Sequence, residues 1–312
     1  MPNTSIAGLS LRDLEYAVAV GNERHFVRAA ESCSVSQAAL SEQVRKLESL
    51  LGFSLFERTK RHVEPTARGI AVLRQAETVL AEARRLLDSA RRSAEPMTGD
   101  LRIGAIATLG PYYLPALLAK GRARFPLLSL RLHEGRTAEL LERLRRGELD
   151  TVLCALPVPL DGLTAEPLFF EPFVLAAPSD HPLATRESIG VRELRRAELL
   201  LMEEGHCLRD QALDLCNMRR TNPTARFASS LEMLRHMIAA GEGCSVLPLT
   251  ATNAGIDMHG LVTYRELNDP TIGRTIGMVW RTTETRVADL REVAAFLREA
   301  LPAGTHGMPQ PA

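Results

Sequence analysis

His25-Phe26-Val27-Arg28-Ala29-Ala30-Glu31-Ser32-Cys33-Ser34-Val35-Ser36-Gln37-Ala38-Ala39-Leu40-Ser41 reads as helix, turn, helix. Ser34-Val35 makes the turn, and Ser36 is placed to N-cap a helix running from Gln37 to about Leu51, because its hydroxyl can accept an otherwise orphaned first-turn N–H. Ala39, Leu40, Val44, Leu47 and Leu51 recur at helical spacing and mark the buried side of that helix. Residues 11–20 carry the same period, and Ala29-Ala30 permits a close helix crossing. This is the plan that lays a recognition helix in the major groove of DNA. Its outward side carries Ser36, Gln37, Ser41, Gln43, Arg45 and Lys46, side chains able to reach base edges or phosphates.

After Gly52, two short apolar alternations between Phe53 and Thr66 flank a basic tip. The pattern predicts a wing, with Arg58, Thr59, Lys60 and Arg61 against the phosphate backbone. A solvated charge run is the plainer reading. The clustering of bases on one helix end and one hairpin favours DNA. From Thr66 to about Ala94 there is no proline and only Gly69 as glycine. Leu73, Leu80 and Leu87 repeat every seven residues, as do Ala76, Ala83 and Ala90. Such an a/d seam predicts a helix that pairs with a second copy. Arg74, Arg84, Arg85, Arg91 and Arg92 on its other faces favour that over a helix lying on its own domain. Glu95-Pro96-Met97-Thr98-Gly99 ends the segment.

Beyond it, strands at 101–106, 128–134 and 151–156 alternate with helices at 113–125 and 137–146. That order predicts a parallel sheet with helices on both faces. A further strand at 173–177 leads to a second unit with strands at 199–202, 244–247 and 275–280 and a helix at 231–240. The fold class is therefore an N-terminal all-α winged helix-turn-helix, a long linker helix, and a C-terminal α/β domain of two lobes. The divisions fall at 1–66, 67–95, 96–302 and a loose tail, 303–312. Ligands in such α/β folds gather at strand ends and helix N-termini between the lobes.

Within the second lobe stands Gly205-His206-Cys207-Leu208-Arg209-Asp210-Gln211-Ala212-Leu213-Asp214-Leu215-Cys216. Leu208, Ala212, Leu215 and Cys216 form a helical stripe after the break at Gly205. Cys207 falls in the first turn, where the helix dipole favours an anion, with His206 and Arg209 as actual or potential cations beside it. That setting favours the thiolate, the form that attacks oxidants. Cys216 lies nine positions on, roughly 13 Å along the axis and on the opposite face, whereas a disulfide needs Cα atoms within about 7 Å. Pairing would require unwinding. Two ordinary buried thiols remain the alternative on local sequence alone.

The 312 residues hold 38 bases and 38 acids, so net charge argues for neither nucleic acid nor an anionic membrane. No apolar run is long enough to span a bilayer, and the first residues do not read as a secretory signal. Five cysteines are too sparse for a disulfide scaffold and fit a reducing cytoplasm. Cys33, Cys154 and Cys244 read as core thiols, with Cys244 a competing partner for oxidation. No Cys-x-x-Cys spacing suggests a metal, and no cofactor motif appears.

Ala29-Ala30, Ser36-Gln37-Ala38-Ala39-Leu40-Ser41, Leu47-Glu48, Leu55-Phe56-Glu57-Arg58 and Thr66-Ala67-Arg68-Gly69 resemble, in order and spacing, the winged helix of LysR-type transcriptional regulators. The C-terminal domain is similar to their periplasmic-binding-protein-like effector domain. Gly205 to Cys216, with Asp13-Leu14-Glu15-Tyr16, Gly110-Pro111-Tyr112, His133-Glu134 and Arg274-Thr275-Ile276-Gly277-Met278-Val279, resembles the peroxide-responsive OxyR branch of that family. The resemblance implies a regulator, not an enzyme. It implies Cys207 as the peroxidatic and Cys216 as the resolving thiol, and Thr108 and Thr137 as groups that hold hydrogen peroxide, with His206, Leu208, Arg209 and Asp210 around it. As partners it implies a palindromic double-stranded operator, a homodimer that pairs into a homotetramer, and RNA polymerase. The basic segment Asn217-Met218-Arg219-Arg220-Thr221-Asn222-Pro223 departs from the family pattern. A LysR-type regulator answering a metabolite between the lobes, with inert cysteines, is the competing reading. A thiol peroxidase has no use for the winged helix. Neither has a secreted solute-binding protein.

Overall fold

The computed structural model describes residues 6–58, 63–91, 95–197, 199–216, 226–252 and 258–308. The chain divides into two units, Met1–Arg92 and Ser93–Ala312. In the first, α1 (Leu11–Glu23), α2 (Phe26–Ser32) and α3 (Gln37–Leu51) precede a hairpin of β1 (Phe56–Arg58) and β2 (Val63–Pro65), then α4 (Ala67–Arg91). Ser34 supplies the turn with φ of 55°. Ser36 Oγ accepts from the Ala39 N–H at 3.2 Å as the N-cap of α3. Leu14, Val20, Ala29, Ala30, Leu40, Val44 and Leu47 close the core between the three helices. The Glu48 carboxylate accepts from the Leu55 N–H at 2.8 Å and the Phe56 N–H at 3.3 Å, which fastens the wing to the recognition helix. Ser36, Gln37, Arg45 and Lys46 are exposed, whereas Ser41 and Gln43 are half-buried at the margins of the core stripe. Thr59, Lys60 and Arg61 lie outside the described residues.

The heptad seam of α4 is used differently along its length. Leu73, Ala76 and Leu80 are buried in the core of the winged helix itself, while Leu86 and Leu87 are 71% and 57% exposed. A heptad count cannot tell a seam facing its own domain from one facing a second chain. Gly69 shows how tightly α4 is seated, since a Cβ there would stand 2.1 Å from the Leu55 carbonyl oxygen.

The second unit runs β3 (Gly99–Ile106), α5 (Gly110–Arg124), β4 (Leu128–Gly135), α6 (Thr137–Arg145), β5 (Thr151–Leu156) and the long β6 (Leu163–Pro178). Then come β7 (Ser188–Ile189), α7 (Val191–Leu194), β8 (Leu201–Met202), α8 (Cys207–Cys216), β9 (Phe227–Ala228), α9 (Leu231–Ala239), β10 (Ser245–Pro248) and α10 (Leu249–Thr252). The chain closes with β11 (Val262–Leu267), β12 (Gly273–Arg281), α11 (Val287–Glu299) and β13 (His306–Gly307). One sheet is ordered β4-β3-β5-β12-β6-β11-β7, with β10 and β13 also on β6, and β8 pairs β9 apart from it. The sheet is mixed, not parallel: β3 is parallel to β4 and β5, whereas β12 runs antiparallel to β5 and β6.

Strand β6 belongs to both lobes. Residues 163–172 pair β12, and 173–178 pair β10 and β11. Its first half carries Pro167 and Pro172, which weaken a strand signature in sequence. Between Ile276 and Gly277 of β12 the pairing skips Leu168 of β6, a bulge next to Pro167. The two lobes have separate cores, one around Leu101, Leu140, Leu153, Phe169 and Ile276, the other around Leu175, Ile189, Leu234, Val246 and Leu247. The tail expected to be loose is paired as far as β13, which sets His306 against Phe170; residues 309–312 lie outside the described residues.

The Gly69 contact gives a direct test. Gly69→Ala must push α4 off the wing and is expected to destabilise the DNA-binding unit by about 1–3 kcal/mol, read as a lowered denaturant midpoint for that unit.

Candidate functional site

Cys207 is the first residue of α8, after Gly205 with φ of 93°. The helix buries Leu208, Ala212, Leu213 and Cys216; Leu215 of the expected stripe is half-buried against the second lobe's core. Leu208 and Cys216 belong to that same core, yet Cys207 packs against the core of the first lobe. The two thiols of the helix therefore contact different hydrophobic cores, while Leu208 beside Cys207 shares the core of Cys216.

Around Cys207 lies a narrow recess lined by Ile106, Ala107, Thr108, Gly135, Arg136, Thr137, Gly205 and His206. The strands and helices of the first lobe supply Thr108 just after β3 and Thr137 at the start of α6. The Thr137 Oγ1 is buried and has no hydrogen-bond partner among the described residues. A buried hydroxyl without a partner costs free energy, and this one lines a recess beside a thiol. Thr108 is 1% exposed. Its Oγ1 accepts from Arg274 Nη1 at 2.7 Å, and its carbonyl accepts from Nη2 at 2.9 Å. With its oxygen already accepting, the Thr108 O–H is free to donate toward the recess.

Arg274 is itself fixed by Glu171, its Nε donating to Oε2 at 2.7 Å, with both side chains wholly buried. Glu171 Oε1 also accepts from the Thr250 N–H at 3.1 Å and from the Thr250 hydroxyl. One network thus ties β6, β12, α10 and the recess. The sequence reading missed Arg274 as a site residue. Its signal was an arginine entering an otherwise apolar strand, a placement that needs a buried partner.

His206 is 8% exposed and lines the recess. Burial, then the Arg136 guanidinium, hold its proton affinity below the ordinary histidine value, against Glu203 and a bond to the Ser229 backbone. Both effects favour the neutral ring over the cation. Leu208, Arg209 and Asp210 do not line the recess. At ~100° per residue Leu208 and Arg209 turn away from the Cys207 direction, whereas Asp210, three residues on, returns toward it. Leu208 enters the second core, Arg209 stacks over the Phe227 ring at 5.1 Å and pairs Glu204 at 3.9 Å, and Asp210 is exposed. Gln211, four residues on, shares the Cys207 face, and its Oε1 is buried without a partner among the described residues.

The remaining thiols are poor nucleophiles as folded. Burial pushes Cys154 up to about 12, with Cys207 contributing and Arg274 opposing, and pushes Cys216 and Cys244 up to about 11. Cys33 is likewise raised by burial. All five cysteines are free. Among the described residues no cluster of three His, Cys, Asp or Glu comes together to hold a metal.

Comparison with known proteins agrees with this architecture at both ends of the chain. Residues 11–70 match the bacterial regulatory helix-turn-helix of the lysR family, and residues 94–302 match the LysR substrate binding domain. The chain belongs to the LysR family. Within it, the chain falls in the OxyR branch. It is 45% identical over 291 residues to the DNA-binding transcriptional dual regulator OxyR of Escherichia coli, covering 93% of this chain and 95% of that protein. A probable hydrogen peroxide-inducible genes activator of Streptomyces viridosporus is 42% identical, covering 94% of each. Among solved structures, a full-length OxyR cysteine-to-aspartate variant from Pseudomonas aeruginosa superposes with a TM-score of 0.73 at 37% identity, over 97% of this chain and 99% of that one. A Corynebacterium glutamicum OxyR cysteine-to-serine variant with bound hydrogen peroxide gives a TM-score of 0.63 at 34% identity, over 93% and 92% of the two chains. Like these LysR-family relatives, the chain is a regulator with a DNA-binding module, not an enzyme.

The environment of His206 makes a pH prediction. Its folded affinity lies below the ordinary 6.5, so the unfolded chain binds more protons there. The stability it contributes is complete above that value and is lost as pH falls below it. An NMR titration of the imidazole is expected to show the His206 midpoint below 6.5, with unfolding free energy declining over the same acid range.

Proposed function

We propose that this chain is a transcription regulator switched by hydrogen peroxide through Cys207 and Cys216. The observation that carries the reading is the recess itself: one half-buried thiol at a helix start, a partnerless Thr137 hydroxyl and a Thr108 hydroxyl turned by Arg274. A small molecule with two oxygens, each able to donate and accept, suits that set. The Cys207 thiolate attacks one peroxide oxygen, the O–O bond breaks, and sulfenic acid and hydroxide form. Cys216, as thiolate, then displaces hydroxide from the sulfenic sulfur to give the disulfide. Overall the two thiols lose two electrons and peroxide becomes water.

The second step is impossible while α8 persists, because nine helical residues hold the sulfurs too far apart. Cys216 also remains protonated in its burial. Local unwinding brings the thiols together and withdraws Cys207 from the first lobe's core. The packing of the two lobes changes, and with it the presentation of the winged helices. The exposed Leu86 and Leu87 on α4 support a homodimer on a palindromic operator, pairing further into a tetramer, with RNA polymerase reading the altered promoter. Ser36, Gln37, Ser41, Gln43, Arg45 and Lys46 are assigned to base edges or phosphates and Arg58 to the backbone, together with Thr59, Lys60 and Arg61 from the sequence, which lie outside the described residues. Five free thiols fit the cytoplasm, and no described helix is long and apolar enough to cross a membrane.

Thiol mapping by mass spectrometry after equimolar peroxide tests the proposal. A Cys207–Cys216 disulfide, abolished by Cys207→Ser, is expected; untouched thiols would overturn it and favour a metabolite between the lobes. The order of events makes a second prediction. Ala212→Gly weakens α8 by about 1 kcal/mol, so disulfide formation is expected to accelerate severalfold while the preceding sulfenylation rate stays at its wild-type value in stopped-flow measurements.

A further inference from the structure

Arg136 sits on the rim of the Cys207 recess but plays no part in the chemistry above. It precedes α6 on the first lobe, and its side chain is 49% exposed. From there it reaches the second lobe, where Nη2 donates to Glu203 Oε2 at 3.4 Å. On the way it lies against Gly205: a Cβ at that glycine would stand 2.9 Å from Arg136 Cδ. The positive φ of Gly205 disfavours a side chain there, and the Arg136 stem passes close over it. The guanidinium is also near enough to lower the proton affinity of His206 on the recess wall. Arg136 thus reaches from one lobe to the other along the lining of the narrow recess beside Cys207.

We infer that Arg136 is the specificity-determining residue of the recess, a bar that admits hydrogen peroxide and delays hydroperoxides carrying an alkyl group. This rests on the peroxide reading of Cys207 and adds the substrate selection to it. The tether is a half-exposed ion pair, with Glu203 47% exposed. Such pairs hold weakly and are screened by salt, so the bar yields to thermal motion without a change of fold. Hydrogen peroxide passes beneath or beside it. A tert-butyl group requires the arginine to leave Gly205.

The test uses the full-length reduced protein and the rates of Cys207 sulfenylation by hydrogen peroxide and by tert-butyl hydroperoxide. In Arg136→Ala the ratio of the alkyl to the hydrogen peroxide rate is expected to rise by about tenfold, the scale on which a pocket discriminates small differences in bulk. Arg136→Met keeps the stem over Gly205 but loses the tether to Glu203, and its ratio is expected to rise only part of the way. Glu203→Ala frees the tether and is expected to raise the ratio part of the way. An unchanged ratio in Arg136→Ala, or an equal rise in Arg136→Met, would overturn the bar. Wild-type Cys207 inert to hydrogen peroxide would instead overturn the peroxide reading beneath it.

Discussion

The buried ion pair between Glu171 and Arg274 is the constraint on which the sensing domain depends. Two charges with no exposed side-chain surface forfeit several kcal/mol of hydration each, and attraction alone does not secure the pair. What stabilises it is the completion of its hydrogen bonds. Arg274 donates to both oxygens of Thr108, and Glu171 accepts twice from Thr250. The pair stands where β6 passes from one lobe to the other and where the chain returns into β12. A buried network at a crossing can be satisfied in few relative positions of the lobes. The Thr108 hydroxyl therefore has a fixed place although it sits on a connection between elements.

The thiols divide along the same line. Cys154, Cys216 and Cys244 are enclosed by apolar side chains, and burial is the main cause that favours their protonated form. Cys207 is half-buried, at a helix start, and borders polar groups. Reactivity is thus assigned by position and not by number of cysteines. The thiol that must react second is kept inert by the helix that the first reaction disturbs.

Much of this was legible in the chain, and the failures have physical causes. The recognition helix was readable to its ends because Ser36, Gly52 and the apolar stripe all act locally. Helix α8 was equally plain, from Cys207 to Cys216. The first half of β6 was missed because Pro167 and Pro172 mask it, and the mixed sheet because a βαβαβ opening does not reveal how later strands return. The linker's heptads could not say which of their leucines face their own domain. In the recess, Thr108 and Thr137 were reached through family resemblance, since a threonine at a helix start is ordinarily a cap. Arg274 was invisible as a site residue because its role comes from Glu171, over a hundred residues away in sequence. Leu208, Arg209 and Asp210, implied by the same resemblance, are not among the residues that line the recess.

That helix is short by design of its surroundings. Ten residues are too few to be stable alone in water, so α8 exists because Leu208, Ala212, Leu213 and Cys216 are buried by the rest of the domain. Its N-terminal thiol is held by one core and its C-terminal thiol by the other. Oxidation of Cys207 places an oxygen on a sulfur packed among apolar side chains, which weakens the hold at that end. Leu208, Ala212, Leu213 and Cys216 still hold the segment, so in the proposed switch the lost contact at Cys207 has to tip a helix that has little intrinsic stability to oppose it.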